Sequence, residues 1–431
     1  MQRYCKYKDS GVKWLGEIPS HWEVVKSKYL WKESFAVSDS GREKLLSVSQ
    51  YDGVTPTKSD SRSESLKGYK IVSKNDLVIN IMLAWMGGLG VSKYEGIVSP
   101  AYCIYKLCDS SNPRFLHFLY KTPLYLAEFA RRSSGVIPSR WRMYTDDFGQ
   151  VLSLLPPRKE QDAIVSYLDS VTSKIDEAIA QQQKMIDLLN ERKQIIINDA
   201  VTKGLDPKAK MKDSGIDWIG QIPEHWEISV FKHLFNTRTG ITFTKEQLSE
   251  SGAPVISYGQ IHSKDNWGAS INPILNRHIP QSLTKGKDSA IAIKGDFLFA
   301  DTSEDFEGCG NNVYVDTEEP VYAGYHTILA KCNNKECGQY LAYLFASSKW
   351  RGQVRSMVNG VKVYSVTQTI LNNALVILPP ISEQKEIANY VTKKVVVIND
   401  AIDRCKKRIK LLQERKQIII NDVVTGKVKV I

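Results

Sequence analysis

Basic and polar side chains gather twice in this chain, each time shortly before a proline pair. The first cluster is Arg131-Arg132-Ser-Ser-Gly-Val-Ile-Pro-Ser-Arg140-Trp141-Arg142. The second is Arg355-Ser-Met-Val-Asn359-Gly-Val-Lys362-Val-Tyr364. Arg and Lys neutralise phosphates, while Arg, Asn, Gln, Ser and Thr reach base edges. Both clusters therefore offer the chemistry of nucleic-acid contact. Gln50-Tyr51 and Tyr258-Gly-Gln260-Ile-His262 follow matching strand-like segments and are secondary candidates. Trp85, in Ala-Trp-Met-Gly-Gly, has a ring that could stack on a base, but a core position is expected of it.

Other chemistries find no support. Cys309 sits between Gly308 and Gly310 with no identifiable His base, which makes it a turn cysteine. His21 and His225 each precede a Trp in a turn-rich stretch, so a structural role is expected. Cys103-x4-Cys108 and Cys332-x4-Cys337 lack the C-x2-C spacing of zinc knuckles. No metal site and reduced thiols are expected. There is no Asn-Pro-Pro-aromatic or Asp-Pro-Pro-aromatic tetrad, no G-x-G-x-x-G and no phosphate loop. No nuclease carboxylate–lysine signature stands out. No catalytic residue is assigned.

The elements that must position these clusters come in two copies. Leu188-Leu-Asn-Glu-Arg-Lys-Gln-Ile-Ile-Ile-Asn-Asp199 returns as Leu411-Leu-Gln-Glu-Arg-Lys-Gln-Ile-Ile-Ile-Asn-Asp422. Upstream at the same offset, Pro156-Pro157 aligns with Pro379-Pro380 and Glu160-Gln161 with Glu383-Gln384. No gap is needed between. Ile164, Leu168, Val171, Ile175, Ala178, Met185, Leu189 and Ile196 form one helical stripe; Ile387, Val391, Ile398, Ala401, Cys405, Leu412 and Ile419 form its counterpart. The proline pairs suit helix starts; Gly204 and Gly426 suit helix stops. A helix of about 40 residues is about 60 Å long and would expose its stripe alone. Mutual burial in a coiled coil is the economical arrangement. A second repeat, Lys8-Asp-Ser-Gly-Val-Lys-Trp-Leu-Gly-Glu-Ile-Pro-Ser-His-Trp-Glu23, returns at Lys212 to Glu227.

Trp-x-Gly-x-Ile-Pro-x-His-Trp, Leu-Pro-Pro-x-x-Glu-Gln and Leu-Leu-x-Glu-Arg-Lys-Gln each occur twice in the same order and together span the chain. In these the sequence resembles the specificity (HsdS) subunit of Type I restriction–modification enzymes. The resemblance implies an α+β fold: two copies of a mixed α/β target-recognition domain separated by two long antiparallel helices in a coiled coil, with pseudo-twofold symmetry. The expected boundaries are 1–155 and 205–378 for the domains, 156–204 and 379–426 for the helices, and a tail at 427–431. It also implies recognition of double-stranded DNA as a bipartite asymmetric site, one half per domain. Two modification (methyltransferase) subunits using S-adenosylmethionine and restriction subunits using ATP and Mg2+ would be the partners. This chain itself would bind no cofactor. A coiled-coil scaffold with two protein-binding domains is the rival; the detached recognition arm of a fused methyltransferase–nuclease is another.

Charge fits an acidic partner unevenly. The formal charge is +11 overall, but +7 over residues 1–156 and −1 over 206–378. The second domain would therefore need a local basic face. No apolar run is long enough to cross a bilayer, and a cytoplasmic location with no membrane contact is expected. The globular segments diverge while the helices repeat almost letter for letter, as a reader of two unlike half-sites would need. Drift alone would also have loosened the solvated helix face. It has not, so Glu191, Arg192, Lys193, Gln194 and Glu414, Arg415, Lys416, Gln417 are the candidate subunit interface.

Overall fold

The repeated segment that opens each copy folds the same way twice. A computed structural model describes residues 2–51, 53–57, 66–137, 141–333, 338–360 and 363–430. It divides into two units, Met1–Gln183 with Lys406–Ile431, and Lys184–Cys405. In the first, Tyr7–Asp9 pairs antiparallel with Glu17–Pro19, and the Asp9 carboxylate accepts the Gly11 amide at 2.9 Å. In the second, Met211–Asp213 pairs with Gln221–Pro223, and Asp213 accepts from Gly215 at 3.0 Å. The shared Asp-Ser-Gly thus encodes one side-chain-capped turn.

Each His-Trp then meets the Glu of its repeated Glu-Gln. Trp22 Nε1 donates to Glu160 Oε1 at 3.1 Å, the Tyr4 hydroxyl donates to the same oxygen at 2.5 Å, and His21 Nε2 lies 2.8 Å from Oε2. Burial and the adjacent carboxylate push the Tyr4 hydroxyl up, so it remains a donor. In the second unit Trp226 Nε1 and His225 Nε2 reach Glu383 at 3.1 and 2.7 Å. The histidines are therefore structural partners of a helix start. A buried donor left without its acceptor costs about 1–3 kcal/mol. Glu160→Ala strands two such donors, Tyr4 and Trp22, whereas Glu383→Ala strands one, and the Glu383 side chain is 23% exposed against 9% for Glu160. Glu160→Ala should therefore lower the urea midpoint more than Glu383→Ala; equal shifts would contradict this account.

The central sheets match in order. In the first unit an antiparallel sheet runs Trp31–Ser34, Tyr102–Leu107, Leu77–Asn80, Leu89–Val91. In the second it runs Phe235–Thr239, Thr327–Cys332, Phe297–Ala300, Asn312–Tyr314. Leu77–Asn80 and Phe297–Ala300 are buried at every residue, as strands flanked on both faces must be. The second unit also has a sheet Arg277–Ile279, Ala253–Ile256, Val321–Ala323, Ile291–Ala292, with one parallel pairing; in the first unit Gly96–Val98 pairs antiparallel with Lys70–Val72, and Ile97 bridges Leu45 in parallel. Helices Pro113–Tyr120 and Pro123–Arg132 are capped by Asn112 and Thr122 and carry Pro in the first turn. Gly338–Ala346 and Ser348–Met357 are their counterparts, the latter capped by Ser347. Ahead of each proline pair stand a short helix, Thr145–Gly149 or Gln368–Asn373, and a strand. These strands, Leu152–Leu155 and Leu375–Leu378, pair with Glu23–Lys26 and Glu227–Val230 and feed the proline pairs.

The long helices are Arg158–Lys203 and Ile381–Val424. Gly204 and Gly426, at φ 76° and 75°, end them in the left-handed conformation. A Cβ on Gly426 would also lie 2.5 Å from Pro19 Cδ. Each helix gives one half to each unit. In the first unit Ile164, Leu168 and Ile175 share a core with Ile419, Ile420, Val423 and Val424, and Lys416 Nζ bonds Asp176 at 2.7 Å. In the second, Ile197, Ala200 and Val201 share a core with Ile387, Ala388 and Val391, and Lys193 Nζ bonds Asn399 at 3.2 Å. The expected stripe needs one correction. Met185 is 49% exposed, and Ile186, 7% exposed, takes the inward position. The stripe drifts because 3.6 residues per turn do not match a 3.5 repeat.

Candidate nucleic-acid interface

In the first unit the basic cluster begins on the last turn of helix Pro123–Arg132. Arg131 and Arg132 both clamp the Glu128 carboxylate, at 2.7 and 2.6 Å. Burial raises that carboxyl, but the hydrogen bonds from the two guanidinium groups outweigh it and hold it below the usual range. Arg131 keeps its side chain 63% exposed; Arg132, at 21%, is mostly committed. The chain then doubles back: Ser134 and Arg142 exchange both backbone hydrogen bonds, at 3.0 and 2.9 Å, and the Met143 amide donates to the Ile81 carbonyl at 3.0 Å. Arg140 lies outside the described residues. Trp141 meets Trp85 edge to face at 5.3 Å. Trp85 is half-buried beside this loop rather than in the core. Lys121 Nζ bonds the Gln50 and Gly87 carbonyls at 2.7 and 2.8 Å, which fixes the Gln50-Tyr51 turn next to the Trp85 turn. Tyr51 is 82% exposed. Arg131, the Trp85–Trp141 pair and Tyr51 thus crown one unit.

In the second unit two of the candidates, His262 and Arg355, line a cleft of about 650 Å³ together with Tyr258, Asn311, Arg351 and residues of the loop 303–308. His262 Nε2 donates to the Thr302 carbonyl at 2.7 Å, leaving Nδ1 to accept from Asn311 Nδ2 at 3.1 Å. The Gln260 carboxamide oxygen accepts the Ser257 amide at 2.9 Å, so that atom is spent on a helix cap. Tyr364 packs on Phe306 at 5.5 Å, and Tyr364–Ser365 pairs with Thr302–Ser303. Asn359 is exposed, and Lys362 lies outside the described residues. Cys309 is buried, and burial pushes its thiol up. Its contact is the Asp305 carbonyl at 3.8 Å, which gives no activated nucleophile. Arg351 and the acidic segment Glu304 to Glu307 were missed from sequence. The i, i+4 spacing of Arg351 and Arg355 in a helix carrying Lys349 and no acid was the available signal.

The helix candidates divide. Lys193 and Lys416 face the opposite helix within their own units, so their preservation has an intramolecular cause. Gln194 is half-buried with its carboxamide oxygen unpartnered; Gln417 is exposed. Glu191, Arg192, Glu414 and Arg415 are exposed. Between them stand Leu188 and Ile195, 50% and 44% exposed, and at the same repeat positions Leu411 and Ile418, 64% and 59% exposed. Spacing of i, i+3, i+4 and i+7 puts each set on one helix face. Among the described residues no metal-binding cluster occurs, and no helix is long and apolar enough to cross a membrane.

The two α/β units share one sheet order and differ in the polar and aromatic side chains that gather in each. Residues 223–411 match the Type I restriction modification DNA specificity domain. The chain is 26% identical over 286 residues to the Type I restriction enzyme MjaVIII specificity subunit of Methanocaldococcus jannaschii, across 64% of this chain and 62% of that protein. It is 23% identical to the MjaX specificity subunit from the same organism, described there as putative, across 96% of both chains. A chain of a solved type I R-M system, 14% identical, shares the fold with a TM-score of 0.65 over 95% of this chain and 99% of that one. Residues 223–411 thus carry a Type I restriction modification DNA specificity domain, and the relatives aligned along the chain are specificity subunits of such systems.

Proposed function

We propose that the chain is the non-catalytic DNA-recognition subunit of a Type I restriction–modification complex. Each domain reads one half of a bipartite asymmetric site in double-stranded DNA and directs adenine methylation and restriction by partner subunits. The observation that carries this is the pairing of identical sheet order with unlike polar and aromatic groups: Arg131, Trp141 and Tyr51 in one unit, Arg355, His262 and Tyr364 in the other. Arg132, Arg140, Arg142, Gln50, Gln260, Asn359 and Lys362 complete the proposed DNA surface. The domains are assigned to 1–155 and 205–378. The helices at 156–204 and 379–426 run antiparallel as a coiled coil with pseudo-twofold symmetry. Packing of 164–175 on 419–424 in one unit and of 197–201 on 387–391 in the other supports that arrangement. S-adenosylmethionine, ATP and Mg2+ act on the partner subunits, in the cytoplasm. Filter binding of this chain with its methyltransferase subunit to random-sequence DNA tests the assignment. Selective retention of one sequence class is expected; indifference to DNA would favour a protein-binding scaffold.

The repeated exposed faces Leu188–Glu191–Arg192–Ile195 and Leu411–Glu414–Arg415–Ile418 support two copies of one partner, because an identical surface presented twice selects the same protein twice. Leu188→Arg with Ile195→Arg should leave a complex with one methyltransferase subunit, read by native mass spectrometry. All four substitutions, at both faces, should leave none. Retention of two copies by the fourfold variant would exclude these faces.

A further inference from the structure

Helix Ser348–Met357 holds two arginines that its own unit neutralises poorly. Arg351 and Arg355 sit one turn apart on the wall of the cleft. Both terminal amino groups donate to a single acceptor, the Glu307 carbonyl oxygen. Among the described residues the carboxylate bonded to Arg355 is that of Glu307, 2.8 Å from Nη2. The Glu307 side chain is 80% exposed, whereas that of Arg355 is 15% exposed. An exposed carboxylate is hydrated and screened, so it holds a buried guanidinium weakly. The Nε groups of both arginines are buried and have no acceptor among the described residues. Burial, with the Arg355 charge adding to it, brings the Arg351 guanidinium down to about 10. Two cations, two unfilled donors and open space adjoin one another, with Asn311 and His262 across the cleft.

We infer that this cleft takes a backbone phosphate of the bound duplex, and that the Glu307 carboxylate holds the place in the free chain and gives way to it. A phosphodiester carries two anionic oxygens that can accept from Nε and Nη of a guanidinium together, which a single carbonyl cannot. The exchange leaves charge balanced at Arg355 and supplies acceptors to the donors that lack them. It also gives the second domain a local basic face despite its net charge of −1 over residues 206–378. Glu304 and Asp305 on the same loop hold back non-specific polyanions until the duplex is seated. This rests on the DNA-recognition function proposed above and adds the anchoring site and its competitor.

The test uses the full chain assembled with its methyltransferase subunit and a duplex carrying the motif methylated in the host. Fluorescence anisotropy is measured across a salt series. Glu307→Gln removes the competitor at an exposed position and should tighten binding about fivefold, for matched and mismatched duplexes alike. Arg355→Gln should weaken binding and make the slope of log K against log salt shallower by about 1. Glu307→Gln should methylate the unchanged motif. Unchanged or weaker binding by Glu307→Gln overturns the inference. So does a Glu307→Gln variant that gains affinity for inorganic phosphate but not for duplex, since the site would then serve a free anion. Failure of the parent complex to bind any duplex would instead overturn the underlying function.

Discussion

Inserting two residues between positions 178 and 186 should abolish assembly of the complex, whereas a matched pair of four-residue insertions should preserve it and lengthen the recognised site. The argument is geometric. Two residues turn everything downstream by about 200°, four by about 40°. The first would aim Ile186, Ile197 and Val201 at solvent; the second keeps them close to their present face. Because both long helices cross from one unit to the other, an insertion in one alone would leave the halves out of step. The partner insertion belongs at 406–414, since Asp176 meets Lys416 and Lys193 meets Asn399. Four residues add about 6 Å, and at about 3.4 Å per base pair that is at most about two base pairs. The expected methylome motif keeps both half-sites and gains one or two unread positions between them. A motif with the original gap would show that the helices do not set the spacing.

Exchanging one recognition domain should rewrite half of the motif and leave the other half untouched. Replacement of residues 24–153 cuts inside the ladder of Glu23–Lys26 with Leu152–Leu155. The chain enters and leaves that domain on adjacent strands, so a homologous cassette can be joined without disturbing the long helices. The second domain offers the same junction at Glu227–Val230 and Leu375–Leu378. A cassette swap at the first junction predicts complete replacement of one half-site in the methylated motif. Change in both halves would mean that the domains do not read independently.

The repeats made much of this legible in sequence. Asp9 and Asp213 cap the same turn, Glu160 and Glu383 receive the same His-Trp, and Leu77–Asn80 and Phe297–Ala300 take the same place in their sheets. Those features depend on local pattern, which duplication preserved. The pairing of Ala253–Ile256, Ile291–Ala292 and Val321–Ala323 in one sheet was not legible, because it is long-range pairing that short segments do not encode. Met185 was misplaced because a slow drift of the stripe cannot be followed from spacing alone. The preservation of Lys193 and Lys416 suggested a partner protein, yet each has a partner on the facing helix. Of the DNA candidates, Gln260 shows how the local fold commits one atom of a polar side chain that the sequence leaves open. Its carboxamide oxygen is occupied by a helix cap, while Arg351, unmarked by any motif, has a buried Nε without an acceptor.

The most direct test of the central claim is single-molecule sequencing of methylated adenines in cells that express the methyltransferase subunit with and without this chain. Methylation at a bipartite motif, two unlike half-sites flanking a fixed unread gap and present only with the chain, is the predicted result. An unchanged methylome, or a continuous motif without a gap, would contradict the account.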